Sequence, residues 1–117
     1  MKRAMPSYIW DMLDAAKAVK EFVSSRTFYD YQKDRMLRGA VERHIEIIGE
    51  AASKVSTEFQ KTHSDIPWRK IISQRHVLAH EYGELEDELV WKVATISVPD
   101  LAAKLEKLLP SPPTMPE

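Results

Sequence analysis

The chain has 117 residues, of which 44% are hydrophobic and 30% charged, and its formal net charge is -1. This length suits one domain with a single core. The near-neutral charge excludes a protein that coats nucleic acid or an anionic membrane by bulk charge. The absence of cysteine excludes disulfides and thiolate metal sites. No apolar run approaches the roughly 18 residues of a membrane span, and no signal peptide is recognisable, so we expect a cytoplasmic protein with no membrane association.

The first part of the chain has helical patterning. Only three glycines and no sustained two-residue alternation leave little room for a sheet. Ser7 is a candidate N-cap for a first helix that should end near Ser24 and Ser25. Its apolar residues recur at helical spacing: Ile9, Met12, Leu13, Ala16, Val19 and Val23. Residues 27–31 then predict a short aromatic connector of about one helical turn.

The longest helix is predicted over roughly residues 32–60. Its main apolar stripe steps by four and three residues: Val41, Ile45, Ile48, Ala52, Val55 and Phe59. A second row, Ala40, Ile47 and Ala51, makes the apolar face wider than one neighbouring helix needs. Such faces are often shared between a core and an oligomer interface, so the pattern predicts a homodimer. Gly39 and Gly49 lie inside this helix at a cost of about 1 kcal/mol each, which a close helix approach would justify, although a merely tolerated glycine is the commoner case.

Two more helices follow. Ser64 and Asp65 are candidate caps of the third helix, with Pro67 in its first turn and Gly83 at its end. The residues expected to face inward are Trp68, Ile71, Ile72, Leu78 and Ala79. The acidic residues between positions 84 and 88 favour the start of a fourth helix. Its expected apolar residues are Leu89, Trp91, Val93, Ala94, Ile96 and Val98, and after an interruption at Pro99 they continue as Leu101, Leu105, Leu108 and Leu109.

These patterns predict an all-α, up-and-down bundle of four to five helices over residues 1–109. Residues 110–117 hold four of the seven prolines and are predicted to be a disordered tail. Trp10, Trp68 and Trp91 are expected to fill the core. His44 and His63 are expected at the surface or packed against neighbours.

The most informative stretch is residues 75–82, where Arg75, His80 and Tyr82 have the spacing R-x4-H-x-Y. Arginine presents a fixed fork of donors that suits a phosphate, and histidine can take or give a proton near neutral pH. Cleavage of a phosphodiester without a metal needs such a pair. Residues 66–80 contain no acidic residue but several basic ones, which predicts an anion site. A solvated basic helix face is the alternative.

Helix geometry restricts how the motif can work. In one regular helix, Arg75 and His80 lie about 140° apart around the axis. They could meet if the helix loosens near His80, as Gly83 would allow, or if two copies of the motif face each other across a dimer. The second arrangement supplies two imidazoles, one as base and one as acid.

Residues 39–52, GAVERHIEIIGEAA, resemble the long second helix of the HepT-like branch of the HEPN superfamily, which ends in Ile-Gly-Glu-Ala. The resemblance continues through the Ile-Pro-Trp-Arg segment at 66–69 and the motif at 75–82 to the helix that contains Trp91. The resemblance covers residues 9–109, and its motifs follow one another in the same order as in the family. It implies a helical homodimer with the paired motifs lining a cleft, and metal-independent endoribonuclease activity as a toxin. The partner it implies is a nucleotidyltransferase-type antitoxin that attaches AMP to the motif tyrosine.

Carried onto this sequence, the resemblance gives each motif residue a role. Arg75 would orient and stabilise the scissile phosphate, and His80 would be the general base or acid for the ribose 2′-OH and the leaving 5′-oxygen. Tyr82 would be the modifiable phenol, and no cofactor is required. The family commonly has asparagine after the arginine, whereas this chain has His76, which leaves the local hydrogen bonding open.

Several other interpretations remain at this stage. His76 and His80, four residues apart, have a spacing that can bind a metal, but the sequence offers no third ligand, so no metal is expected. Arg43, Glu46 and Glu50 share a helix face, which is either a salt-bridged solvent face or the frame of a dimer cleft. The chain could also be a non-catalytic HEPN module that binds nucleotide or RNA, a scaffold for a nucleotidyltransferase, or a plain helical dimer.

Overall fold

The computed structural model describes the backbone of residues 5–80 and 84–109 and the side chains of residues 7–74 and 86–109. All regular structure in these ranges is helical, which confirms the predicted all-α fold class. In chain order the helices are α1 (Met5–Val23), α2 (Phe28–Lys33), α3 (Arg35–Ser53), α4 (Thr57–Thr62), α5 (Trp68–His80), α6 (Glu84–Lys92) and α7 (Val98–Leu108), with a π-helical turn (Val93–Ser97) between α6 and α7. None of the described helices combines the length and the apolar character needed to cross a membrane. The predicted tail, residues 110–117, lies outside the described residues.

Helix α3 lies at the centre of the fold and packs against α1 and α5, while α7 packs against α1. The predicted main stripe of α3 is buried over Val41, Ile45, Ile48 and Ala52. On α1 the predicted inward positions are buried as expected: Ile9, Met12, Leu13, Ala16 and Val19. Each fully buried valine, leucine or isoleucine contributes roughly 1.5–3 kcal/mol, so this layer of three helices supplies much of the stability.

The second apolar row of α3 is largely covered within one chain. Ala51 is buried, and Ile47 packs against the core at the edge that Tyr8 and Asp11 of α1 form. The width of the apolar face therefore does not by itself require a second copy, and the homodimer stays a prediction. Gly39 is exposed, and a Cβ placed there would meet nothing within 4 Å, so the close approach proposed for this glycine is wrong.

The predicted single helix over residues 32–60 is wrong, because two capping side chains divide it. Asp34 follows α2, and its carboxylate accepts a hydrogen bond from the Leu37 N–H at 3.0 Å. Ser56 begins α4, and its hydroxyl accepts from the Phe59 N–H at 3.1 Å. Each oxygen satisfies an N–H group that has no partner inside the helix, a stabilisation worth about 1 kcal/mol per cap.

The beginning of α1 and the α1–α2 connection also differ from expectation. Ser7 lies inside α1, which starts at Met5, so Ser7 is not its N-cap. The end of α1 is close to the prediction, and Ser25 just beyond it has a left-handed φ of 60°. Thr27 then caps α2 through a reciprocal pair of hydrogen bonds with Asp30, so the predicted aromatic connector is a short capped helix.

Helix α5 begins at Trp68, and the carbonyl of Pro67 accepts the first helical hydrogen bond, from Ile71. Pro67 therefore precedes the helix, and the predicted caps Ser64 and Asp65 lie too early in the chain. Trp68 and Ile71 are buried and Ile72 is half-buried, as predicted. The other positions predicted for this helix and its end, Leu78, Ala79 and Gly83, fall outside the described side chains.

On the inward face of α6, Val90 takes the place of the predicted Leu89, whereas the predicted Trp91 does pack against the core. Val90 is buried, whereas the predicted core residues Leu89 and Ile96 are 39% and 67% exposed. The reason is that α6 packs on α2 through Trp91, whose ring lies 5.3 Å from that of Tyr31. The buried positions Ala94, Val98, Leu101 and Leu105 agree with the prediction.

The interruption predicted at Pro99 takes the form of the π-helical turn before it. The Val98 N–H donates to the carbonyl of Val93, five residues earlier, which is the π pattern. Pro99 then lies in the first turn of α7, where its missing N–H is harmless. The backbone therefore passes from α6 into α7 without leaving the helical state.

Tyr31 is the described residue that least suits its surroundings. Its side chain is fully buried, and within the described structure its hydroxyl has no hydrogen-bond partner. Burial is the main cause that raises the pKa of this phenol above 10.0, and the carboxylates of Glu42 and Asp87 raise it further. The ring is well packed, but no described residue bonds to its hydroxyl.

We therefore expect Tyr31→Phe to raise the free energy of unfolding by about 1 kcal/mol, since it removes a buried polar group to which no described residue forms a hydrogen bond. In the unfolded chain this phenol ionises near pH 10, whereas in the folded chain it resists ionisation. Ionisation therefore favours the unfolded state, and the free energy of unfolding of the original chain falls as the pH rises above about 10. The variant should lose less stability above about pH 10 than the original chain. Denaturant unfolding at neutral and alkaline pH measures both effects. Tyr29→Phe, at an exposed tyrosine, should change neither, and a destabilised Tyr31→Phe would show that the hydroxyl has a partner.

Candidate active site at the end of helix α5

The R-x4-H-x-Y motif begins on the C-terminal half of α5 and extends into its connection with α6. The described backbone is helical up to His80 and from Glu84 onward. Positions 75 and 80 thus belong to one α-helix, about 140° apart around its axis. The side chains of Arg75, His76 and His80, and Tyr82 as a whole, lie outside the described residues. Their roles stay predictions, and the helix does not loosen before position 80.

Core contacts hold both helices that flank the motif. At the start of α5, the indole N–H of Trp68 donates to the carbonyl of His63 at 3.0 Å, and its ring meets Phe59 edge-on at 6.3 Å. On α6, Trp91 packs against Phe28 and Tyr31. The two anchors hold the start of α5 and the second half of α6 against the core, on either side of the motif.

An apolar groove runs between α5 and the α6–α7 side of the bundle, directly beside position 75. One part, of about 250 Å³, is lined by Gln74 of α5 and by Leu89, Val90 and Val93, and the adjoining part, of about 460 Å³, reaches Ile96. Sequence reasoning missed this groove because it depends on the outward register of Leu89 and Ile96. Its wall is mostly apolar, although Lys70 lines both parts, so the groove suits packing better than binding an anion.

The α3 residues considered as a cleft frame form ordinary surface pairs. The guanidinium of Arg43 lies 3.1 Å from the Glu46 carboxylate, and Glu50 lies 3.8 Å from Lys54. All four side chains are at least half exposed, so each pair contributes at most a few tenths of a kcal/mol. These contacts fit the solvent-face interpretation, and a cleft-lining role for Arg43, Glu46 and Glu50 stays a prediction.

The two isolated histidines are packed, as expected. The Nδ1 atom of His44 lies 2.8 Å from the carbonyl of Ala40, and its ring meets Phe22 edge-on. His63 stacks on Phe59 at 4.3 Å. In the part of the chain whose side chains are described, no group of three or more histidines and carboxylates could hold a metal ion. The His76 and His80 side chains are not in that part.

Comparison with known proteins identifies the family. The model of the family described as ribonuclease HepT-like matches residues 12–108. The chain is 35% identical over 108 residues to a protein of Thermococcus cleftensis named a probable ribonuclease HepT, and the match covers 92% of this chain and 98% of that protein. It is 33% identical over 109 residues to a protein of Caldanaerobacter subterraneus, named as a candidate RNase, over 93% of this chain and 96% of the relative.

A third relative, from Methanocaldococcus jannaschii and also named as a candidate RNase, is 30% identical over 105 residues, which is 90% of this chain and 96% of the relative. No solved structure matches the chain significantly. The family match spans the central helix, the motif helix and the helices that follow, so it covers every element that forms the core. The chain belongs to the HepT-like ribonuclease family.

Proposed function

We propose that this chain is a metal-independent endoribonuclease that cleaves RNA by attack of the ribose 2′-OH, with Arg75 and His80 as catalytic residues. The observation that carries the proposal is the R-x4-H-x-Y spacing in a member of a ribonuclease family. Membership of this family makes the chain an RNase of the HEPN superfamily, and the spacing supports the mechanism. The phosphorus–5′-oxygen bond breaks as the 2′-oxygen attacks, which leaves a 2′,3′-cyclic phosphate and a 5′-hydroxyl.

In this mechanism each residue has a distinct role. The Arg75 guanidinium stabilises the negative charge that develops on the phosphate in the transition state. His80 removes the proton from the 2′-OH, and a second His80, from a second copy, donates a proton to the leaving 5′-oxygen. A second copy is proposed because Arg75 and His80 of one α-helix point in directions about 140° apart.

The exposed apolar residues on α6 and the π-helical turn support the homodimer. Leu89, the half-buried Val93 and Ile96 form an apolar ridge along the groove beside α5. An exposed apolar surface of this kind is typical of a protein–protein contact. Covering it with the same surface of a second copy would bring two α5 helices together, as a shared cleft requires.

Light scattering at micromolar concentration should therefore give about twice the 13.5 kDa chain mass. Ile96→Asp should produce a folded monomer, because it places a charge on the most exposed residue of the apolar ridge. Met36→Asp is the matched control, since Met36 is 86% exposed but lies on α3, away from the ridge. A wild-type chain that stays monomeric at all concentrations would contradict the shared cleft.

The proposed biological role is that of a toxin whose partner is a nucleotidyltransferase-type antitoxin. The support is the family assignment together with an intact motif tyrosine, Tyr82. A phenol two residues after His80 is chemically able to attack the α-phosphorus of ATP, which would join AMP to the phenolic oxygen and release pyrophosphate and the phenolic proton. Modification there would place a phosphate beside Arg75, where it would compete with the RNA phosphate.

The experiment that tests the enzymatic proposal is incubation of labelled RNA with the purified chain in excess EDTA. Cleavage should proceed at the same rate with and without the chelator, because Arg75 and His80 supply the charge stabilisation and proton transfer. Activity that disappears in EDTA and returns with zinc or magnesium would contradict the proposal and favour a metal on His76 and His80. RNA binding without cleavage under either condition would support the non-catalytic HEPN module instead.

A further inference from the structure

A shallow basic depression lies between α4 and the N-terminal half of α5, on the side of α5 away from its connection to α6. It has a volume of about 820 Å³, and its cationic members are Lys61 of α4 and Arg69 and Lys70 of α5. None of its described lining residues is acidic. Glu58 and Asp65 are close in sequence, but neither lines the depression. We call this surface, defined by Lys61, Arg69 and Lys70, the basic depression.

The three cations are exposed in a single chain, and Lys70 lines the apolar groove as well as the basic depression. All three side chains are exposed, and none forms an ion pair within the described part of the chain. This distinguishes them from the cations that the described structure does pair with carboxylates: Lys17, Arg26, Arg43, Lys54 and Lys104. Because the whole chain has a net charge of -1, this local group must supply any attraction for a polyanion at this face.

The floor of the basic depression indicates what kind of contact it makes. Ile66 and Trp68 form part of it, and both are buried. The Trp68 indole N–H is already bonded to the His63 carbonyl, so this ring is not a platform for stacking a base. Cations and hydroxyls around a buried apolar floor recognise phosphates rather than bases.

We propose that the basic depression binds the phosphate backbone of RNA that flanks the cleavage site. This inference rests on the proposed ribonuclease function. Arg69 precedes Arg75 by six residues on the same helix, which is about 9 Å along the axis and about 120° around it. A strand held at the motif therefore has to pass partly around α5 to reach Arg69 and Lys70, and it can then reach Lys61 on α4. Contact with the backbone alone gives affinity without sequence preference.

The test measures binding of a single-stranded 2′-O-methyl RNA, which lacks the 2′-OH nucleophile and so is not cut. Fluorescence anisotropy over a range of salt concentrations compares the wild type with a triple variant, Lys61→Gln, Arg69→Gln and Lys70→Gln. Loss of each phosphate contact should reduce the slope of log K against log salt by about 0.7, and by about 2 for all three.

The matched control changes three exposed cations elsewhere: Lys20→Gln, Arg35→Gln and Lys107→Gln. It alters the net charge by the same amount but should leave the slope at the wild-type value. Equal reductions in both triple variants would mean that only bulk charge matters, and an unchanged slope in the first variant would mean that the RNA lies elsewhere. Either result overturns the proposal.

Cleavage kinetics separate this inference from the proposed function. The first triple variant should raise KM for a long RNA, while kcat and the cleavage of a dinucleotide stay at wild-type values, because a dinucleotide cannot reach the basic depression. If the wild type cuts no RNA but the first triple variant has a smaller slope of log K against log salt, the proposal that the basic depression binds RNA stands and the ribonuclease proposal fails. If the wild type cuts RNA and the first triple variant keeps the wild-type slope and KM, the proposal that the basic depression binds RNA is overturned and the ribonuclease proposal stands.

Discussion

Arg75→Ala and His80→Ala are each expected to lower the rate of RNA cleavage by about 10²–10⁴-fold, while the fold and the oligomeric state stay unchanged. Alanine at position 75 removes the donors that stabilise charge on the phosphate, and alanine at position 80 removes the proton carrier. The backbone at both positions is helical, and alanine favours helix, so neither change should unfold α5. Initial cleavage rates and circular dichroism of the same preparations measure the two quantities.

The two residues are proposed to act as a unit, so the double variant should be hardly slower than the slower single variant. Arg35→Ala, which removes an exposed arginine from the first turn of α3, is the matched control and should keep the wild-type rate. A near-wild-type rate in either motif variant would contradict the role assigned to that residue.

Co-expression with a nucleotidyltransferase-type antitoxin is expected to yield a chain that is heavier by one or more AMP units and inactive towards RNA. Attachment at Tyr82 would put a bulky anionic group beside Arg75, which could bind it as it binds a substrate phosphate. The attached group would exclude RNA by its volume and by like charge. Intact-mass measurement gives the modification, and the cleavage assay gives the inhibition.

Tyr82→Phe should remain unmodified, whereas Tyr29→Phe, at a tyrosine that is 68% exposed on α2, should be modified like the wild type. Comparing these two variants shows whether AMP is attached specifically at Tyr82 or at any exposed tyrosine. An inhibited complex in which the wild-type chain carries no AMP would contradict covalent control and leave inhibition by simple binding.

The helical class and most of the core could be predicted from the sequence, because the spacing of apolar residues along a helix shows which of its positions are buried. Ile9 through Val19 on α1 and Val41 through Ala52 on α3 follow the predicted stripes. The division of the long helix was missed although Asp34 and Ser56 are good capping residues. Their side chains compete with helix continuation only locally, and the predicted apolar stripe, Val41 to Phe59, runs past Ser56.

Which residues of α6 face the core could not be predicted in the same way. Leu89 and Val90 are neighbours of similar hydrophobicity, and which of them turns inward depends on how Trp91 packs against α2. That contact joins segments about sixty residues apart in the sequence, and no local pattern reports it. The apolar ridge at Leu89 and Ile96 follows from this packing.

The motif and the basic depression also differ in how far the sequence alone predicts them. The R-x4-H-x-Y motif lies within eight residues, so its spacing is visible in the sequence alone. The basic depression is not, because Lys61 and Arg69 belong to two helices whose relative position is set by Ile66 and the Trp68–His63 hydrogen bond. A local motif identifies the chemistry, and the fold supplies the surface around it.

The most direct measurement is the chemistry of the RNA ends that the wild-type chain produces in excess EDTA. Attack by the ribose 2′-OH predicts 2′,3′-cyclic phosphate ends on the upstream fragments and 5′-hydroxyl ends on the downstream fragments, identified by mass spectrometry. Fragments with 3′-hydroxyl and 5′-phosphate ends would mean that water, not the 2′-OH, attacks the phosphorus. That result would contradict the mechanism assigned to Arg75 and His80.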